Sequence, residues 1–390
     1  MEVIDLDNLA LEIAQKHLLK NISYKDLGKT YYASPSTIHR RLRQWLAENR
    51  FELHDKLAAK TNAVINGRDD DLGEMLVRKT GIWRARVVRI SGVEPAYTRN
   101  YLEKRDSESA QASFLASDEL HRCLGEVTAE LILNGLRRNM TIGISSGRGV
   151  GFAVEKLGEI VRKTPSWTSG YESIRLVSLC GGVHVGKWGN TNINSRDFDA
   201  DENVFALAAI LKVPRNNLTY MTGPISMDSR RQPLDTGPKY NLDIAVIGLG
   251  QLNTQHHYFR DISELQLKAM SGPIRKIIES QASNPELYDS LAEIVLKLYP
   301  PGKGTLPAEF LETLREVNGT ILSVAPESIK NAGEVIMIAG GRQKLDALCG
   351  LLTGGYPEAP IDKKNLTLVT DAWTAEAVLN RITGRTGSTK

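Results

Sequence analysis

Residues 141–149 read Thr141-Ile142-Gly143-Ile144-Ser145-Ser146-Gly147-Arg148-Gly149. A short apolar strand runs into two hydroxyls and a glycine-rich turn, and helical spacing follows from Phe152 to Val161. A strand that passes through a tight glycine turn into a helix is the opening of a strand–helix–strand unit. The same grammar recurs outward along the chain. Ile174–Leu179, Leu242–Gly248, Thr320–Val324, Val335–Ala339 and Leu366–Thr370 are apolar runs of strand length, and Phe205–Leu211 reads as a helix between two of them. Near-continuous apolar strands alternating with helices predict a parallel sheet covered on both faces. Upstream, Ala85–Ile90 alternates like a strand, and Asp69-Asp70-Asp71 reads as an acidic turn. From Asp118 to Leu136, Leu120, Leu124, Val127, Leu131 and Leu136 recur at helical spacing. Ser117 or Asp118 caps that predicted helix, which ends near Gly135.

In parallel α/β sheets ligands bind beyond the carboxyl ends of the strands, so the turns there should converge on one crevice. The turn Ser145–Gly149 presents backbone N–H groups at a helix N-terminus, a place for phosphate, with hydroxyls from Ser145 and Ser146 and charge from Arg148. The alternative is that its glycines serve only tight packing. The other turns are Cys180-Gly181-Gly182, Gly248-Leu249-Gly250-Gln251, Gly340-Gly341 with Lys344, and Thr370-Asp371. Lys344, one turn into its helix, reaches an anionic group. Asp371 either accepts from sugar hydroxyls or caps the helix that begins at Ala372.

A different pattern occupies the first 50 residues. Asp26–Leu46 reads DLGKTYYASPSTIHRRLRQWL. Lys25–Tyr31 is a predicted short helix, Ala33-Ser34 a turn, Ser34 the cap of a second helix and Pro35 its first residue. Ile38 and Leu42 are four apart and bury together. That leaves Ser36, Thr37, His39, Arg40, Arg41 and Arg43 facing outward beside Ser34. A short polar and basic helix after a tight turn suits the major groove, where arginine bonds guanine or phosphate. A merely solvated amphipathic face is the alternative. Tyr32 stands where many such turns carry glycine.

The chain has 390 residues, enough for two or three domains. Net charge is only +3, so nucleic-acid binding rests on a local patch and not on overall polycation character. Cys123, Cys180 and Cys349 match no metal spacing, which implies buried free thiols in a reducing compartment. No secretory signal pattern and no apolar run of membrane-spanning length is evident, so a cytoplasmic protein with no membrane partner is expected. No cofactor is called for.

These residues resemble the SorC family of sugar-responsive transcription regulators over nearly the whole chain. The resemblance is carried by Leu27–Leu42, Ile142–Gly149, Asp243–Gly250, Ala339-Gly340-Gly341 with Lys344, and Leu368–Asp371 with Thr374-Ala375. It implies an N-terminal all-α helix-turn-helix domain over 1–55, a linker and the start of the effector domain over 56–117, and a tail over 385–390. Residues 118–384 would form a Rossmann-like α/β sugar-binding domain, similar to ribose-5-phosphate isomerase and glucosamine-6-phosphate deaminase. It further implies operator DNA and a sugar or sugar-phosphate effector as partners, and a homo-tetramer built as a dimer of dimers. Carried over by motif, Ser145, Ser146, Gly147, Arg148 and Gly149 would hold phosphate with Lys344 assisting. Gly181, Gly182, Gly248 and Gln251 would line the pocket. The family's turn often has a hydroxyl residue after the arginine, where this chain has Gly149. A Gly-Asp pair after the third strand is also missing, and Gln255–Pro307 looks rearranged.

Two other functions are compatible with the residues. A sugar-phosphate isomerase or deaminase on the same fold needs a general base, for which Asp243, Asp371 and His256-His257 are the candidates. A DNA-binding protein with a degenerate pocket would explain Gly149.

Overall fold

The computed structural model describes residues 24–30, 34, 37–38, 65–90, 107–163, 171–181, 200–221, 237–251, 291–295, 297–300, 306–320, 323–341, 344–356 and 358–384. The chain divides into two units. One comprises Met1–Gly67, Ile90–Leu120 and Asn192–Asn194, the other Arg68–Arg89, His121–Thr191 and Ser195–Lys390.

The described part of the first unit begins with α1 (Tyr24–Thr30). Leu27 on α1 and Ile38 beyond it are both buried, as apolar residues of a small helical core must be. The strand β1 (Ile65–Arg68) leads to the second unit.

The second unit is an α/β sheet. Its elements are α2 (Asp70–Thr80), β2 (Arg84–Ile90), α3 (Ser107–Gly135, which begins in the first unit's sequence), β3 (Thr141–Ile144), α4 (Arg148–Lys163), β4 (Arg175–Ser178) and α5 (Ala200–Leu211). They continue with β5 (Leu218–Thr219), β6 (Ile244–Gln251), β7 (Ala292–Ile294), β8 (Lys297–Tyr299), α6 (Ala308–Thr320), α7 (Pro326–Lys330), β9 (Glu334–Ile338), α8 (Leu345–Thr353), β10 (Leu366–Asp371) and α9 (Ala372–Ile382). The strands run in the order β2-β10-β9-β6-β3-β4-β5. Every neighbouring pair in that series is parallel. This is why the central strands are apolar throughout: Leu368, Val369, Ile244, Val246, Ile142 and Leu176 are all buried, because helices cover both faces.

From β3 the chain steps to β4 and then β5, away from β6. From β6 it steps the other way, to β9 and β10. Right-handed crossovers in opposite directions put the two helix sets on opposite faces. Accordingly α4 packs on α5, whereas α8, α9 and α2 pack together. The order reverses between β3 and β6, and the topological switch point lies there.

Several sequence expectations need correction. The described residues of Thr320–Val324 form no named strand: Thr320 ends α6, Ser323 makes an isolated antiparallel bridge to Cys180, and Ile321 and Leu322 lie outside the described residues. Ser117 and Asp118 cap nothing, because α3 starts at Ser107 and passes through both. Asp69-Asp70-Asp71 is a helix start rather than a free turn. Asp69 caps α2 by accepting from the Leu72 N–H at 3.0 Å, and Asp70 and Asp71 lie in the first turn, where acidic side chains suit the helix dipole. Gly248-Leu249-Gly250-Gln251 is no turn either. β6 continues through Gln251 because β7 pairs with it antiparallel, Gly250 opposite Glu293 and Gln251 opposite Ala292.

Candidate functional site

Parallel strands bring the carboxyl ends of β3, β4, β6, β9 and β10 to one edge of the sheet, as the turn pattern requires. The switch point is occupied by the turn between β3 and α4. Ser145 closes it. Its N–H donates to the Val246 carbonyl at 3.0 Å, and its Oγ accepts from the Gly248 N–H at 3.3 Å and donates to the Ser146 carbonyl at 3.0 Å. Its own carbonyl accepts from Asn203 Nδ2 of α5 at 3.1 Å. Ser145 is therefore a buried clasp between β3, β6 and α5, with its hydroxyl already engaged inside the protein.

Ser146 is half-buried, and its Oγ accepts from the Cys180 thiol at 3.5 Å. Gly147 has φ +118° with open space where a Cβ would stand, and its carbonyl accepts the Gly151 N–H at 2.9 Å, the first bond of α4. Only glycine adopts that backbone without strain. The amide N–H groups opening α4 have no acceptor within the helix, and the half-buried Arg148 stands among them. Together they give a 16-residue helix a positively polarised start, of a kind suited to an anion.

Gly149 is buried within the first turn. A Cβ there would lie 2.8 Å from Ile338 Cγ2 at the end of β9 and 3.5 Å from His121 Cδ2 of α3. Glycine at this position is a packing requirement. A side-chain hydroxyl, as in the resembled family, would collide with Ile338 unless Ile338 also changed.

The flanking strands add further groups. Gly181 is buried just past β4, where Ser178 Oγ donates to the Cys180 carbonyl at 2.8 Å and Val324 N–H donates to the Leu179 carbonyl at 2.9 Å. Ser323 Oγ beside that bridge and Thr370 Oγ1 near the end of β10 are buried without a hydrogen-bond partner among the described residues. Lys344 stands at the N-cap of α8 rather than one turn inside it. It is half-buried, and its N–H donates to the Gly341 carbonyl at 3.0 Å.

Asp371 takes the capping role of the two open to it. Oδ1 accepts from the Thr374 N–H at 2.9 Å, while Oδ2 accepts from the Thr374 hydroxyl at 2.6 Å and the Gly341 N–H at 3.0 Å. Burial pushes its carboxyl above the ordinary carboxylate range, against the opposing effect of those three donors. Gly341 sits at φ +86°, so the glycine after β9 and the cap of α9 hold one another.

In the first unit, Ser34 caps the following turn as expected. Its Oγ accepts from the Thr37 N–H at 3.0 Å and lies 2.7 Å from Thr37 Oγ1, and its carbonyl accepts from the Ile38 N–H at 3.0 Å. Gly182, Ser36, His39, Arg40, Arg41 and Arg43 lie outside the described residues, as does the side chain of Gln251.

Asn203 and His121 were missed by sequence reasoning, and Cys180 was placed in its turn without its contact to Ser146. Asn203 had a signal, a polar residue on the otherwise apolar face Val204, Leu207, Ala208 and Leu211. His121 had none, since a helical histidine is an ordinary core residue. Among the described residues no helix is long and apolar enough to cross a membrane.

No family model matches the chain, and no curated protein does. Solved structures similar to it include the full-length sorbitol operon regulator SorC from Klebsiella pneumoniae, at 18% identity and TM-score 0.48 over 96% of this chain and 99% of that one. A DeoR family transcriptional regulator from Listeria monocytogenes is similar at 17% and 0.48, over 79% of this chain and 98% of that one. A monomeric glucosamine-6-phosphate deaminase is similar at 13% and 0.37, over 66% and 96%.

Proposed function

We propose that the chain is a DNA-binding transcription regulator whose operator binding is controlled by a sugar or sugar phosphate held at the switch point. The observation that carries the effector site is the turn Ser146–Gly149. It combines the amides of a helix start, Arg148 and a glycine held at positive φ, where the strand order reverses. Lys344, Gly181, Gly182, Gly248 and Gln251 would surround the ligand. Ser145 and Asp371 would shape the site rather than touch the ligand, because their polar atoms are engaged within the protein.

Residues 1–55 would carry the helix-turn-helix. Ser34, Ser36, Thr37, His39, Arg40, Arg41 and Arg43 would face DNA, and 56–117 would hold a linker and the start of the sugar-binding domain that continues over 118–384, a reading supported by α2 and β2 belonging to the sheet unit. The Ser34 cap and the burial of Leu27 and Ile38 support that placement. A dimer of dimers in the cytoplasm would let paired heads fit or miss their half-sites according to the effector.

The enzyme alternative is weakened by geometry. Asp243 lies at the amino end of β6, where its Oδ2 accepts from the Thr141 N–H at 2.7 Å, on the far edge of the sheet from the candidate site. Asp371 is spent as a cap, and His256-His257 lie outside the described residues.

The test is fluorescence anisotropy with the full chain and the DNA upstream of its own gene, with and without a panel of free and phosphorylated sugars. A sugar-dependent change in affinity is expected. Affinity indifferent to every sugar, or no specific binding, overturns the proposal. In the same assay Arg40→Ala and Arg41→Ala should weaken binding. A base contact costs about 1–3 kcal/mol and shifts sequence preference, and a phosphate contact lowers the salt slope by about 1.

A further inference from the structure

The start of α4 lies against α3 with backbone nearly on backbone. A Cβ on Gly125 of α3 would stand 2.8 Å from the Ala153 nitrogen and 2.8 Å from the Phe152 carbonyl carbon, both in α4. One turn earlier on each helix, the vacant Cβ position of Gly149 faces His121 of α3 and Ile338 of β9. Around these contacts the Arg122 guanidinium lies 5.9 Å from the Phe152 ring centroid, and Lys156 Nζ reaches Glu126 Oε2 at 3.1 Å. His121, Arg122, Gly125 and Glu126 thus form a single face of α3. It meets Gly149, Phe152, Ala153 and Lys156, a single face of α4.

Where side chains separate two helices, small shifts are absorbed by rotamer changes. A glycine contact has no rotamer to change, and a close-packed interior passes displacement on. This seam begins at the residue that forms the first turn of the candidate anion site. It ends on α3, whose residues before His121 belong to the first unit's sequence.

We propose that α3 senses whether the turn Ser146–Gly149 is occupied through the glycine seam at Gly149 and Gly125. The coupling is therefore mechanical and local, and it rests on the effector site proposed above. Gly125 and His121 are positioning residues, since neither needs to touch the ligand. A ligand drawing the first-turn amides toward it would move Gly149 relative to His121 and Ile338, and α3 would follow.

The experiment uses the full chain with two probes, fructose 6-phosphate and inorganic phosphate. Titration calorimetry reads binding, and hydrogen–deuterium exchange over residues 121–135 reads α3. Binding of either probe should change α3 exchange by about threefold or more. In Gly125→Ala, which forces the helices apart, affinity should stay within about threefold while the α3 response is lost. Heat with no change in α3 exchange overturns the seam but leaves the site standing. An α3 response that persists undiminished in Gly125→Ala also overturns the seam. Absence of heat with both probes overturns the site, and the seam with it. Should Gly125→Ala fail to fold, His121→Ala adds no atoms and should diminish the α3 response at preserved affinity, and a full response in it would equally refute the coupling.

Discussion

Gly147 and Asp371 stand at the carboxyl ends of β3 and β10, and each holds a helix start in place by different physics. Gly147 does so by conformation alone. With nothing near its missing Cβ, Gly147→Ala meets no clash and pays only for a backbone at φ +118°. It should lower stability by about 1–3 kcal/mol in chemical denaturation and weaken phosphate binding by titration calorimetry. Asp371 works by hydrogen bonding. In Asp371→Asn one acceptor becomes an N–H₂ group facing the Gly341 and Thr374 donors, at a cost of about 1–3 kcal/mol. Because burial raises the folded-state pKa, the contribution of the carboxyl is complete at pH below its unfolded value and declines as pH rises through the folded one. The stability gap between wild type and Asp371→Asn should accordingly be widest in acid and narrow as pH rises above the ordinary carboxylate range in denaturant melts. The sequence offered ligand and cap as equal roles for Asp371, because both need an acidic residue after a strand. Only the position of Thr374 and Gly341 separates them. Gly149 was similarly ambiguous. Its absent hydroxyl suggested an altered pocket, whereas the decisive neighbour, Ile338, is 189 residues away in sequence. Gly149→Thr should destabilise the protein, and Ile338→Ala should relieve it, as a double-mutant cycle would measure.

Among the elements, the parallel strands were legible because burial on both faces makes them apolar end to end. Those that escaped lacked local signals. β7 and β8 form a hairpin, with Ile294 opposite Lys297, whose connection includes Val295 at φ +53°. Tight hairpins favour Asn or Gly where φ is positive, and a β-branched residue there hides the turn from any pattern search. Val295 is also buried in the core, so Val295→Asn should lower the denaturation midpoint, because a buried unpaired amide costs about 1–3 kcal/mol on top of the lost apolar burial. The misread strand at Thr320–Val324 failed for the opposite reason. Val324 is buried as a strand residue would be, but Thr320 ends α6, and Ser323 and Val324 meet the chain after β4 at an isolated bridge to Cys180 and Leu179. The extent of α3 was underread because its first turns carry serines, alanines and a glutamate in place of an apolar stripe.

On the scale of the whole molecule, a parallel sheet covered on both faces was implied by alternating strands and helices, while the strand order, its switch point and the pairing of β2 were not. Arg84–Val88 lies beside Thr367–Asp371, strands from opposite ends of the chain. Lys363 reinforces that closure by donating to the carbonyls of Thr80 and Leu352. Removing residues 366–390 should leave β2 and β9 with bare edges and give an aggregating product with no cooperative melt, as circular dichroism and light scattering would register.

The same closure sets a schedule on the ribosome. β2 is synthesised 283 residues before the strand it pairs with, at the register Arg84–Thr367. At translation speeds of about 5–20 residues per second it waits roughly a quarter of a minute to a minute for that partner. During that interval the N-terminal residues have already emerged, so the grip on DNA proposed for them would precede the completion of the sheet proposed to govern it.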